Sequence, residues 1–110
     1  MRHLTVSRIV AVVAVFAGGP PALAGDNLQI AHGRKLVKAN CARCHATGLT
    51  GKSTHPDAPP FRRLHLRYPI EDLEEALAEG ISTGHPDMPE FVASPQQIGA
   101  IVAYIRSLSR

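Results

Sequence analysis

The sequence predicts an all-α domain of three main helices joined by long loops. Three stretches open on helix-capping or first-turn residues, and two of them carry apolar residues at helical spacing. No stretch beyond the amino-terminal segment shows the β-branched alternation of a half-buried strand.

Residues 1–24 stand apart from that domain. Arg2 and Arg8 form a basic start, Ile9–Ala17 an apolar run, and Ala22-Leu23-Ala24 a small-residue site before Gly25. This is the three-part pattern of a cleaved secretory signal, with an apolar run too short to span a bilayer. The expectation is a signal peptide over 1–24 and one domain over 25–110, with no membrane span in the mature chain. An 86-residue domain buries limited apolar area and is marginal without an additional stabilising element.

The first helix is expected to open at Asp26, with Gln29 closing a capping box, and to run to about Val37–Lys38. Residues 46–60, rich in glycine, proline and polar side chains, read as loop. A middle helix is expected from Pro69, a favoured first helical residue, to Gly80 as its C-terminal stop. Ile70, Leu73, Ala76 and Leu77 form its apolar face, and Glu71 and Asp72 complement the helix dipole. The last helix opens on Ser94-Pro95-Gln96-Gln97, with Ser94 as cap and Gln97 completing the box. Its apolar stripe is Ile98, Ile101, Val102, Ile105 and Leu108.

Charge is unevenly placed. Residues 33–67 carry eight basic residues against Asp57 alone, a local +7, and residues 68–92 carry seven acidic and no basic residues, a local −7. The resulting dipole can orient the molecule towards a charged partner, or reflect nothing more than two solvated faces. Without Arg2 and Arg8 the net charge is only +1, which with export argues against nucleic acid as a partner.

Chemistry concentrates at Cys41-Ala42-Arg43-Cys44-His45, which holds both cysteines of the chain. Two thiols at this spacing can each add to a haem vinyl group, and the adjoining imidazole can reach the iron, so the motif specifies one haem c attached through Cys41 and Cys44. A redox dithiol of the thioredoxin type needs a βαβ setting that is missing here, and two thiolates with one adjacent histidine do not make a tetrahedral zinc site. A second axial ligand is expected from His85-Pro86-Asp87-Met88-Pro89. Met88 lies 43 residues beyond His45 in a proline-bracketed loop, and Met/His ligation is the electron-transfer pattern. His85 is the competing ligand, and Met88 is preferred.

These residues resemble a small bacterial class I cytochrome c. The resemblance runs from Gly33 through Cys41–His45, Ala58-Pro59-Pro60-Phe61 and Met88-Pro89 to Tyr104-Ile105, nearly all of the mature chain. It implies a monomeric all-α fold, three main helices with loops wrapped around one covalent haem, His45 and Met88 as iron ligands, and one-electron transfer. It also implies haem attachment outside the cytoplasm, hence a periplasmic location. In the family the first and last helices cross closely, here through Gly33 and Tyr104. A proline-segment carbonyl orients the ligating imidazole, here Pro59, with Pro60 the alternative. Phe61, Leu64, Leu77 and Phe91 are expected to pack on the haem, and Tyr68 with Arg62 or Arg63 to bond its propionates. The partners expected are redox proteins, a donor dehydrogenase or an acceptor oxidase. A dedicated small subunit of a periplasmic dehydrogenase, and a sensor haem that releases Met88, are the alternatives.

Overall fold

The computed structural model describes residues 9–15, 18, 21–80 and 86–109, with side chains of 21–24 left aside. Its elements are helix α1 (Pro21–Asn40), a 3-10 turn (Phe61–Leu66), helix α2 (Glu71–Glu79) and helix α3 (Pro95–Leu108). No strand occurs among the described residues. Helix α3 is the hub: it packs against α1, α2 and the 3-10 turn.

Helix α1 starts upstream of Asp26, which lies exposed within it. Pro21 has no N–H to leave unpaired and a φ already suited to a helix, and Ala22-Leu23-Ala24 are strong helix formers. The turn therefore propagates ahead of the expected cap. Upstream, Ile9, Val10, Val12, Val13 and Val15 are 80–91% exposed and contribute nothing to the core.

The 3-10 turn was not expected from the sequence. Pro60 is extended (φ −60°, ψ 136°), and the chain then closes i→i+3 bonds, Arg63 N–H to Pro60 O and Arg67 N–H to Leu64 O, both 2.9 Å. Side chains three apart eclipse in this geometry, so Phe61 and Leu64 are both buried on the same side. No apolar repeat of 3.6 marks so short an element.

Helix α2 makes its first turn where Pro69 suggested, with Asp72 N–H bonded to Pro69 O at 3.1 Å. Ile70 and Leu77 are buried and Leu73 and Ala76 half-buried. The helix stops at Gly80, whose φ of 81° suits glycine. Helix α3 has the complete capping box at Ser94 and Gln97, with Pro95 in the first turn. Every residue of its expected stripe is buried, together with Ala100 and Tyr104.

The α1–α3 crossing turns on Gly33. A Cβ there would lie 1.9 Å from the Ala100 carbonyl oxygen and 2.9 Å from Tyr104 Cβ. The missing side chain lets the two backbones touch, and Val37, one turn on, is fully buried against α3 and its neighbours.

Candidate functional site

Helix α1 runs directly into the cysteine motif. Cys41 N–H bonds Val37 O at 2.8 Å, and Cys44 and His45 N–H both reach Cys41 O, at 3.2 and 3.0 Å. The motif is thus one more helix-like turn. Positions three and four apart share a face of such a turn, which explains why two intervening residues separate the thiols and why the imidazole follows at once. Both thiols are free and half-buried. Burial pushes the Cys41 thiol up to about 11.

Downstream chain straps this turn in place. Ala46 N–H donates to Ser53 Oγ (2.9 Å) and Thr54 Oγ1 donates to Arg43 O. His55 N–H reaches Cys44 O at 3.2 Å, and Phe61 N–H reaches Ala46 O at 2.9 Å.

His45 is oriented by its Nδ1, which lies 2.8 Å from the Pro59 carbonyl oxygen. A carbonyl only accepts, so Nδ1 carries the proton and Nε2 keeps its lone pair. The Pro60 carbonyl is already engaged by Arg63 N–H. Phe61 packs on the imidazole at 4.8 Å between ring centroids, tilted by 43°, so the ring is fixed by a hydrogen bond on one edge and an aromatic neighbour on its face. Cys41, Cys44, His45, Pro59 and Phe61 therefore form one connected unit.

Met88 is half-buried between exposed Asp87 and Pro89. His85, the competing ligand, lies outside the described residues, as does His3. Tyr68 sits beyond the 3-10 turn, 39% exposed, its hydroxyl raised by partial burial and partly offset by Arg67. Arg63 is exposed. Arg62 is better placed as an anion donor: Nη2 donates to Gly51 O at 2.9 Å, whereas buried Nη1 has no partner.

His55 lies in the loop expected over 46–60. It is half-buried, and its Nε2 stands 3.0 Å from Asp87 Oδ2, next to Met88. A signal was present: His-Pro-Asp occurs twice, at 55–57 and 85–87. His65 is likewise half-buried, with a buried Nδ1 that has no partner.

The donor set fits a haem. It offers two free thiols on one turn, an imidazole with Nε2 available, a half-buried thioether, and a guanidinium nitrogen that lacks an anion. Among the described residues no group of three or more His, Cys, Asp and Glu is placed to hold a bare metal ion.

Comparison with known proteins points the same way. The family model described as cytochrome c oxidase, cbb3-type, subunit III matches residues 28–105. Cytochrome c-552 of Bradyrhizobium diazoefficiens is 36% identical over 106 residues, covering 96% of this chain and 97% of that protein. Cytochrome c6 of Picosynechococcus sp. is 33% identical over 111 residues, covering 96% and 92% respectively. The cbb3-type oxidase subunit CcoP of Rubrivivax gelatinosus is 30% identical over 88 residues, which is 80% of this chain and 29% of that subunit. No solved structure matches. A helical fold organised around a strapped cysteine–histidine turn, with relatives of this kind along nearly the whole chain, places the protein in the family of small mono-haem class I cytochromes c, electron carriers that bind haem c covalently.

Proposed function

We propose that this cytochrome is an exported, periplasmic one-electron carrier whose haem is attached through Cys41 and Cys44 and ligated by His45 and Met88. The observation that carries the axial assignment is the 2.8 Å bond from His45 Nδ1 to the Pro59 carbonyl. It fixes the tautomer that leaves Nε2 free for a metal and sets the ring's orientation. Phe61 restrains ring rotation. Pro86 and Pro89 limit the backbone around Met88 and hold it out of helix. Arg62 Nη1 supplies a buried donor suited to a propionate, which favours Arg62 over exposed Arg63. The haem supplies the Fe(III)/Fe(II) couple when bound; the chain contributes rigid ligands, so little has to move on electron transfer.

Export is supported by the signal pattern over 1–24 and by the exposure of residues 9–15 outside the core. Among the described residues no helix is long and apolar enough to cross a membrane. The partners proposed are redox proteins, a donor dehydrogenase or an acceptor oxidase. The basic residues of 33–67 form the docking side, and the acidic α2 side orients the molecule during encounter. The matches spanning nearly all of cytochromes c-552 and c6 favour a free carrier. Partial matches to cbb3 oxidase subunits favour, second, a subunit of a larger redox complex. Co-purification with a larger enzyme separates these two.

The test is expression in a host able to attach haem to CxxCH, followed by fractionation. The periplasmic product should begin at Gly25 and carry one haem. Its ferric form should show the weak near-red charge-transfer band of sulfur ligation, and Met88→Ala should abolish it. Carbon monoxide should leave the reduced wild type unchanged and bind reduced Met88→Ala. A colourless product, or thiols joined to each other, overturns the reading.

A further inference from the structure

His55 is anchored to the cysteine turn and reaches across to the segment bearing Met88. Ser53, Thr54 and His55 are each bonded to that turn, the last through its N–H to Cys44 O at 3.2 Å. Pro56 follows and restricts the backbone of His55. The side chain is oriented as firmly: Nδ1 accepts from Asp57 N–H at 3.1 Å. Nδ1 is therefore the unprotonated nitrogen, and Nε2 carries the hydrogen that it donates to Asp87 Oδ2 at 3.0 Å. An imidazole N–H facing a carboxylate makes a charge-assisted bond. It spans 32 residues of sequence and ends at the residue before Met88.

We propose that His55 is a positioning residue for the axial methionine. Through Asp87 it holds the Met88 segment against the Cys41–His45 turn, so that the sulfur stays on the iron in the ferric state. The need is greatest there, because a soft thioether binds the harder ferric ion less well. This inference rests on Met88 being the sixth ligand. Asp87 is well exposed, 64% against 24% for His55, so the bond biases the loop modestly, by roughly twofold to fivefold in the open–closed equilibrium.

The experiment uses haem-loaded full-length protein processed by its host and exogenous imidazole as the probe. Imidazole displaces the sulfur from ferric protein, and the near-red band reports the displacement at one fixed pH. His55→Ala and Asp87→Ala should each raise imidazole affinity by about twofold to fivefold. The double variant should match the singles rather than multiply them, and His55→Gln, which keeps a donor near the Nε2 position, should return most of the effect. A wild type with the band whose variants bind imidazole unchanged, or whose double variant is multiplicative, overturns the strut alone. A wild type without the band overturns the axial assignment and the strut with it.

Discussion

Tyr104 works in two layers at once. Its side chain is buried, with Cβ beside Gly33 at the helix crossing, while its hydroxyl donates to the Thr47 carbonyl at 2.5 Å, two residues past His45. The ring thereby connects the helix crossing to the cysteine turn. Tyr104→Phe keeps the packing and removes the bond, so it should lower stability by about 1 kcal/mol, the net value of one intramolecular hydrogen bond. Guanidinium unfolding of the haem-loaded protein measures this. At the same scale, Pro59 illustrates what neighbours decide. Of two adjacent prolines, Pro59 turns its carbonyl to the histidine while the Pro60 carbonyl closes the 3-10 turn.

At the scale of elements, two contacts fix the helices. Gly33→Ala replaces the poorest ordinary helix former with the best, a gain of about 1 kcal/mol. The new Cβ would sit 1.9 Å from Ala100 O, and the obstacle is backbone that cannot swing aside. Overpacking should win, with a net loss of about 2 kcal/mol or more by the same guanidinium measurement. Helix α2 is tied to α3 by Glu71 Oε1 and Arg106 Nη2 at 2.8 Å, an exposed pair. The Glu71 carboxyl is held below its ordinary 4.5, first by the backbone N–H at its own position and next by Arg106. A lowered folded value means that its contribution is present above the unfolded value and disappears as pH falls through the folded one. Arg106→Gln should therefore move the Glu71 carboxyl part of the way back towards 4.5, read by NMR titration, and leave neutral-pH stability nearly unchanged.

At the scale of the molecule, three helices and one 3-10 turn share a core that, among the described residues, holds no buried polar or charged residue besides Tyr104. Such a core is thin for its length, and Cys41, Cys44, His45 and Met88 are each only half-buried. A bound haem adds a large apolar plate to that core. Protein prepared without it should be largely unfolded, with weak helical circular dichroism and no cooperative thermal transition; a sharp transition in haem-free material would count against this. The segregation of eight basic residues in 33–67 from seven acidic ones in 68–92 should make electron exchange with an acidic redox partner slow as salt is added, because screening shortens the reach of that dipole.

The sequence by itself determined the cofactor, the helical class, the α3 cap and stripe and the Gly80 stop, while the close crossing at Gly33 followed from the family resemblance. The first four are written in short-range chemistry: ligand spacing, side chains that compete for N–H groups, or a residue with no Cβ. Tertiary structure alone decided the 3-10 turn, the buried unpartnered nitrogen of Arg62 and the reach of His55 to Asp87. The start of α1 also escaped the sequence, since helix formers upstream outweighed a good cap. The difference is physical. Local signals depend on a few consecutive residues, whereas a hydrogen bond between residues 55 and 87 exists only after the chain has folded around a common centre.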